Sequence, residues 1–232
     1  MGLFSKKELK DGTIIAVWEI KETEEELLKI IDTPKEELED LFFIKSAQLR
    51  REKLAIRALI NAIFEEPAYL GHHDNGSPYL VNDMTHISVT HTNNFAAIII
   101  NPTEDVGIDI ECLDRDFSAV EKKALSEDEL DDLLDIKEGD QERARERTVQ
   151  LAIYWCAKEA LYKRMGRHDV DFARDMEINK FSVREDGDID AVFKYPKDEH
   201  IVNEDGETEN EEEEFELQYE IFANHVMVWL VG

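Results

Sequence analysis

Between Val106 and Glu111 the chain reads Val-Gly-Ile-Asp-Ile-Glu, and this alternation commits the segment to a β-strand. Successive strand residues point to opposite faces, so Ile108 and Ile110 share one face while Asp109 and Glu111 share the other. Val106, Ile108 and Ile110 suggest a mostly buried strand, where unpaired carboxylates are expensive. A cation held by both acids would neutralise them. With 55 Asp and Glu in the chain, two plain surface acids are the alternative.

A second stretch lies about fifty residues on, Trp155-Cys156-Ala157-Lys158-Glu159-Ala160-Leu161-Tyr162-Lys163. On a helix Glu159 and Lys163 share a face, and an ordinary i,i+4 pair would contribute only about 0.2–0.5 kcal/mol. Ala152, Trp155, Ala160 and Leu161 make the surrounding helix largely apolar, an unusual setting for a charged cluster; Trp155 itself reads as core. Joined to Asp109 and Glu111, Glu159 would complete a hard oxygen site of the kind that holds Mg²⁺ together with a substrate phosphate.

The net charge of −28 argues against nucleic acid and against anionic lipid, both of which need a basic footprint. Against that background the run from Lys45 to Arg57, with Lys45, Arg50, Arg51, Lys53 and Arg57 and the single acid Glu52, is informative. It is either a cationic helix face that neutralises acidic neighbours or a phosphate anchor, for which arginine's fork of donors is suited. His91 closes the apolar run Ile87-Ser88-Val89-Thr90 at an expected strand end. There a hydroxyl, an imidazole and free amides suit an oxyanion. His72 and His73 fall in a loop and have no evident partners. Cys112 and Cys156 have neither metal nor redox spacing and read as reduced thiols. No apolar run approaches a bilayer span, and the first residues show neither a signal-peptide core nor a myristoylation pattern, so a cytoplasmic protein is expected.

Along the chain, Thr13 to Glu19 reads as the first strand. A capping box at Thr23 and Glu26 opens a short helix, and helical patterning continues from Pro34 to about Phe64. Gly71 to Pro78 reads as a loop, and His86–Thr90 and Phe95–Ile100 as two strands. A second capping box at Ser126 and Glu129 starts a helix through about Leu134; a long helix from Arg143 to Met165 ends at Gly166. Phe181–Arg184, Ala191–Tyr195, Phe215–Phe222 and His225–Val231 read as closing strands, with a hairpin turn at Asp186-Gly187-Asp188. Residues 203–214, with eight acids and no base, read as a solvated loop. The order is strand, helices, strands, twice over. A division near Glu104 puts the Asp109 strand at the junction, where ligand sites prefer to lie.

Gly107-Ile108-Asp109-Ile110-Glu111, followed by Trp155-Cys156-Ala157-Lys158-Glu159-Ala160-Leu161-Tyr162-Lys163, resembles the 4′-phosphopantetheinyl transferase superfamily in its larger, two-subdomain type. The hallmarks there are Gly-x-Asp-x-Glu and, forty to fifty residues on, Trp-x-x-Lys-Glu-Ala-x-x-Lys. Asn75-Gly76-Ser77-Pro78-Tyr79-Leu80 is similar to the family's Gly-Lys-Pro loop, and Ile87 to Thr92 to its Ser-His segment, so the likeness spans about residues 47–165. It implies an α/β (α+β) fold: a pseudo-twofold pair of similar subdomains, 1–104 and 105–232, each a small, mostly antiparallel sheet packed with a long helix. It implies transfer of the phosphopantetheine arm of coenzyme A to a serine of an apo acyl or peptidyl carrier protein, with release of 3′,5′-ADP. Asp109, Glu111 and Glu159 would hold Mg²⁺, and Glu159 or a metal-bound water would take the serine proton. Lys163 would stabilise charge on the bridging phosphate, Thr90 and His91 would contact coenzyme A phosphates, and Arg50, Arg51 or Arg57 would grip the 3′-phosphate. Gly76, Ser77 and Pro78 would line the adenine site, with Lys158 among the coenzyme A contacts.

The chemistry agrees independently, because phosphoryl-type transfer needs positioning and charge stabilisation more than covalent help. Ser77 stands where many members have lysine, Thr90 replaces the common serine, and the acidic run has no counterpart in the pattern. Two fused halves make a monomer sufficient. The alternatives are a Mg²⁺-dependent phosphodiester or pyrophosphate hydrolase, and an inactive coenzyme A-binding homologue.

Overall fold

The computed structural model describes residues 2–81, 83–195 and 211–232. Strands β1 (Leu3–Glu8) and β2 (Ile14–Glu19) form an antiparallel pair. Helix α1 (Glu24–Ile30) opens at the expected Thr23–Glu26 capping box. A 3₁₀ turn at Lys35–Leu38 and α2 (Glu39–Phe42) lead to α3 (Ala47–Ile63), which Ser46 caps. Then come the hairpin β3 (Leu70–His72) and β4 (Pro78–Leu80), and the strands β5 (His86–His91), β6 (Phe95–Asn101) and β7 (Val106–Cys112). The rest comprises α4 (Ser118–Lys123), α5 (Glu127–Asp131), α6 (Gln141–Met165), α7 (Phe172–Asp175), β8 (Met176–Ile178), β9 (Asp186–Lys194), β10 (Glu212–Phe222) and β11 (His225–Val231).

The fold is α+β with antiparallel sheets, as the sequence implies. One sheet has the order β1-β2-β6-β5 and the other β7-β11-β10-β9-β8. Within them, β2-β6-β5 and β7-β11-β10 repeat one plan: first strand, last strand, next-to-last strand. A long helix precedes the last two strands in each case, α3 in one and α6 in the other.

Side-chain alternation fixes the layers. On β2, Ala16 and Trp18 pack towards α3, whereas Ile15 and Val17 face the second sheet. On β6, Ala96 and Ile98 join α3 while Ala97 and Ile99 face the other way, which explains why Phe95 to Ile100 is apolar throughout. Ile108 and Ile110 of β7, with Met227 and Trp229 of β11, close the middle layer. Val226, Val228 and Leu230 then turn to Ala157 and Leu161 of α6. Because Ile108 and Ile110 take the inter-sheet side, Asp109 and Glu111 are left on the side of α6.

Several local expectations are corrected. Leu3–Glu8 is a strand that the pattern did not reveal, because it is a largely exposed edge carrying Ser5, Lys6 and Lys7. The ends of the Gly71–Pro78 loop pair as β3 and β4. No strand forms at Phe181–Arg184; Met176–Ile178 pairs with β9 instead. Asp186-Gly187-Asp188 is no turn but the start of β9, with Gly187 opposite Tyr219. A Cβ on Gly187 would come 3.0 Å from that ring, so the glycine serves packing and not chain reversal. Of the acidic run, Glu212–Glu214 extend β10, while residues 203–210 lie outside the described residues.

Candidate functional site

The site begins where β7 touches α6. A Cβ on Gly107 would lie 2.0 Å from the Ala160 carbonyl oxygen, so only glycine lets strand and helix approach this closely. The approach brings Asp109 and Glu111 beside the Trp155–Lys163 face of α6. Lys163 Nζ donates to Asp109 Oδ1 at 2.7 Å and to the Ile108 carbonyl at 2.9 Å. Thr90 Oγ1 also donates to Asp109 Oδ1, at 2.9 Å. Asp109 Oδ2 is buried with no hydrogen-bond partner among the described residues. Glu111 pairs with Arg115 and accepts from Trp155 Nε1 at 3.0 Å. Trp155 is thus half-buried against the α6 core and also a contact of the site.

Glu159 is half-buried, and among the described residues no hydrogen bond satisfies its carboxylate. Burial, with the charge of Asp109 next, pushes it up to about 7; Lys163 pulls the other way and Glu111 adds a smaller push. Glu111 is also raised, by burial first and then by Asp109. The three carboxylates therefore share one electrostatic environment. The ordinary i,i+4 pairing of Glu159 with Lys163, the alternative reading of this stretch, does not form among the described residues: Lys163 reaches across to Asp109. Among the described residues no three His, Cys, Asp or Glu side chains are gathered as a ready metal cage. The donor chemistry nevertheless suits Mg²⁺: hard oxygens, excess negative charge, and one buried carboxylate oxygen left without a partner.

The two sheets meet here at their edges. Ser88 Oγ accepts from the Ile108 amide and Thr90 Oγ1 from the Ile110 amide, each at 3.3 Å. Two side chains of β5 thus serve amides of β7 where no strand ladder exists. This occupies the Thr90 hydroxyl with protein partners. His91 lies at the cleft with Nδ1 2.9 Å from Glu52, and burial pushes its imidazole down.

A continuous cleft runs along this seam. One compartment of about 320 Å³ lies between Gly76, Ser77 and Pro78 on one wall and Tyr162, Lys163 and Arg167 on the other. Asn75 Nδ2 donates across it to the Gly166 carbonyl at 3.3 Å. A second compartment of about 260 Å³ adjoins it through Lys53, His72 and Lys163 and takes in Arg57, His91 and Asp109. Lys53 and Arg57 stand side by side there, both pushed down by burial, and no carboxylate pairs with either among the described residues. One buried and one half-buried cation, with no carboxylate partner among the described residues of a protein of charge −28, suit an anion.

Of the three candidate arginines, only Arg57 lines the cleft. Arg50 Nε is committed to both carboxylate oxygens of Glu24 at 3.0 Å. Arg51 lines neither compartment. Lys158 is corrected outright: it is fully buried behind α6, with Glu129 Oε2 at 2.6 Å, and cannot reach a ligand in the cleft. Lys53, His72, Arg167 and His168 are cleft residues that the sequence reading did not assign. Lys53 stands four residues before Arg57 in the basic run, which was a usable signal. Arg167 and His168 follow the helix-ending Gly166 and carried none.

No helix among the described residues is long and apolar enough to cross a membrane. Residues 105–219 match the model of the 4′-phosphopantetheinyl transferase superfamily. No curated protein matches the chain significantly.

Proposed function

The chain belongs to the 4′-phosphopantetheinyl transferase superfamily, and on that premise we propose that it moves the phosphopantetheine arm of coenzyme A onto a carrier-protein serine, releasing 3′,5′-ADP. One observation carries the reading: Asp109 of β7, whose charge acts on both Glu111 and the α6 residue Glu159, lines a cleft that also presents Lys53 and Arg57, without a carboxylate partner among the described residues. Two subdomains, 1–104 and 105–232, would supply its two walls.

Lys53 and Arg57 bind the phosphates at the nucleotide end, and Gly76, Ser77 and Pro78 flank the adenine. Asp109, Glu111 and Glu159 are the residues that would hold Mg²⁺. When bound, the ion supplies neutralisation of the pyrophosphate charge that grows during transfer. The carrier serine oxygen attacks the phosphorus that bears the pantetheine arm, and the bond from that phosphorus to the bridging oxygen breaks. Glu159 accepts the serine proton. Lys163, freed from Asp109 as charge develops on the substrate, stabilises the departing phosphate oxygen.

The carrier enters beside Glu111. A hollow of about 340 Å³ there is formed by Ala119, Val120, Trp155 and Phe172, with Arg115, Lys123 and the acid Asp171 as its charged residues. An apolar lining with two bases against one acid suits an acidic carrier helix despite the enzyme's own negative charge. The test is incubation with coenzyme A, Mg²⁺ and a panel of apo carriers, read by mass. A carrier should gain one phosphopantetheine arm. Consumption of coenzyme A in the absence of any carrier would replace transfer by hydrolysis.

A further inference from the structure

Lys158 sits next to Glu159 in sequence yet points the opposite way. It is fully buried, and its Nζ lies among four oxygens: Glu129 Oε2 at 2.6 Å and the carbonyls of Ala124, Phe172 and Met176 at 2.8, 2.8 and 2.9 Å. Glu129 is equally buried. Besides Lys158 it accepts the Ser126 amide at 2.7 Å and the Ile178 amide at 2.8 Å. One ammonium therefore ties α6 to the end of α4, to α5, and to the strap from α7 into β8. A buried pair of this kind is weak evidence for stability, since well-packed apolar residues would often serve as well. What it does fix is where the strap lies.

The strap carries Phe172. Its ring packs against Trp155 with centroids 5.6 Å apart and against Tyr162 at 5.5 Å. Trp155 precedes Glu159 by four residues and Tyr162 follows it by three, so both lie on the helix face that bears Glu159. Trp155 in turn donates to Glu111, and Tyr162 lines the cleft. Phe172 also forms part of the hollow assigned to the carrier.

We infer that Lys158 is a positioning residue for the transfer reaction: by gripping the Phe172 carbonyl it seats the Phe172 ring, which sets Trp155 and Tyr162 around Glu159 and, through Trp155, sets Glu111. The inference rests on the transferase reading above and adds a residue that touches neither substrate nor cation. It assigns a buried core contact a job at the site, some side-chain layers away, through one carbonyl and one ring.

Three variants test it, each read by melting temperature, by kcat and carrier KM, by coenzyme A affinity, and by the Trp155 indole N–H resonance. Lys158→Met strands the buried Glu129 carboxylate and lowers the melting temperature. Lys158→Met/Glu129→Gln removes the lone charge and keeps the Ser126 capping bond at the expense of the Ile178 amide, and recovers part of that loss. Phe172→Ala leaves the ion pair intact. In all three, kcat falls by about a hundredfold, the scale on which misplacement of reacting groups by about 1 Å acts. The Trp155 resonance shifts, and coenzyme A affinity falls far less than kcat, because Tyr162 is the one cleft residue displaced while Lys53, Arg57 and the Gly76–Pro78 wall stay in place. Recovery of kcat and of the resonance together with the melting temperature in the double variant would reduce Lys158 to a structural role and overturn the inference, as would wild-type kcat in Phe172→Ala. If the unaltered protein transfers nothing, the function reading fails instead, and the Trp155 resonance alone decides this one.

Discussion

Glu159→Gln should make the ligand-free protein more stable while abolishing transfer. The Glu159 carboxyl rises from 4.5 to about 7 on folding, chiefly through burial and the charge of Asp109. At about 1.4 kcal/mol per tenfold change, holding it ionised in the fold costs about 3 kcal/mol. Glu159 is only half-buried, and contact with water and salt screens this to about 1–3 kcal/mol. The sign follows from proton binding. The folded state holds this proton more tightly than the unfolded state, so stability falls as pH rises from about 4.5 to about 7 and the full penalty persists above. Glutamine keeps the shape and carries no penalty. Its advantage should reach about 1–3 kcal/mol near pH 8.5 and shrink by more than half near pH 5.5. For a chain of this size that is a rise of roughly 2–12 °C in melting temperature. Urea unfolding in EDTA at the two pH values measures it. Mg²⁺ should then stabilise the wild type more than the variant, since it acts on the charge that the variant lacks. A variant less stable than wild type at the higher pH, or a gain independent of pH, would refute the reasoning.

Other substitutions separate the parts of the site. Lys163→Ala should lower kcat by roughly 10²–10³-fold, as loss of one preorganised charge contact does, with a smaller effect on coenzyme A affinity. Lys53→Ala and Arg57→Ala should each weaken coenzyme A binding by about tenfold or more in calorimetry, an effect that fades with added salt, while Arg50→Ala should leave it unchanged. Equal losses for all three would place the phosphate elsewhere. Gly107→Ala must push the Ala160 carbonyl away and should destabilise by about 1–3 kcal/mol or more; a wild-type melting temperature would show that β7 and α6 are not in contact there.

Much of this was legible in residue order. The alternation at Val106–Glu111 placed two acids on one strand face, and the capping residues at Thr23, Ser126 and Gly166 marked helix ends because their reasons are local. What could not be read depended on partners distant in the chain. Asp186-Gly187-Asp188 has the composition of a turn, but Tyr219, more than thirty residues on, makes Gly187 a packing glycine. Arg50 and Arg57 are equivalent in the basic run until Glu24 claims the first. Lys158 looks like a ligand contact beside Glu159 until Glu129 and three carbonyls enclose it. Composition left a neutralising cationic face and a phosphate anchor both open; the packing of α3 brings Lys53 and Arg57 of that run, and neither Arg50 nor Arg51, to the cleft.

The edges of β5 and β7 are joined by two hydroxyls and no strand ladder. A backbone ladder would lock the gap between the halves to one width, whereas here two side chains span it. Ser88 and Thr90 are themselves buried, so loss of either hydroxyl would strand a buried amide of β7. The breadth of the cleft at this seam is thereby written into two side chains and not into strand register.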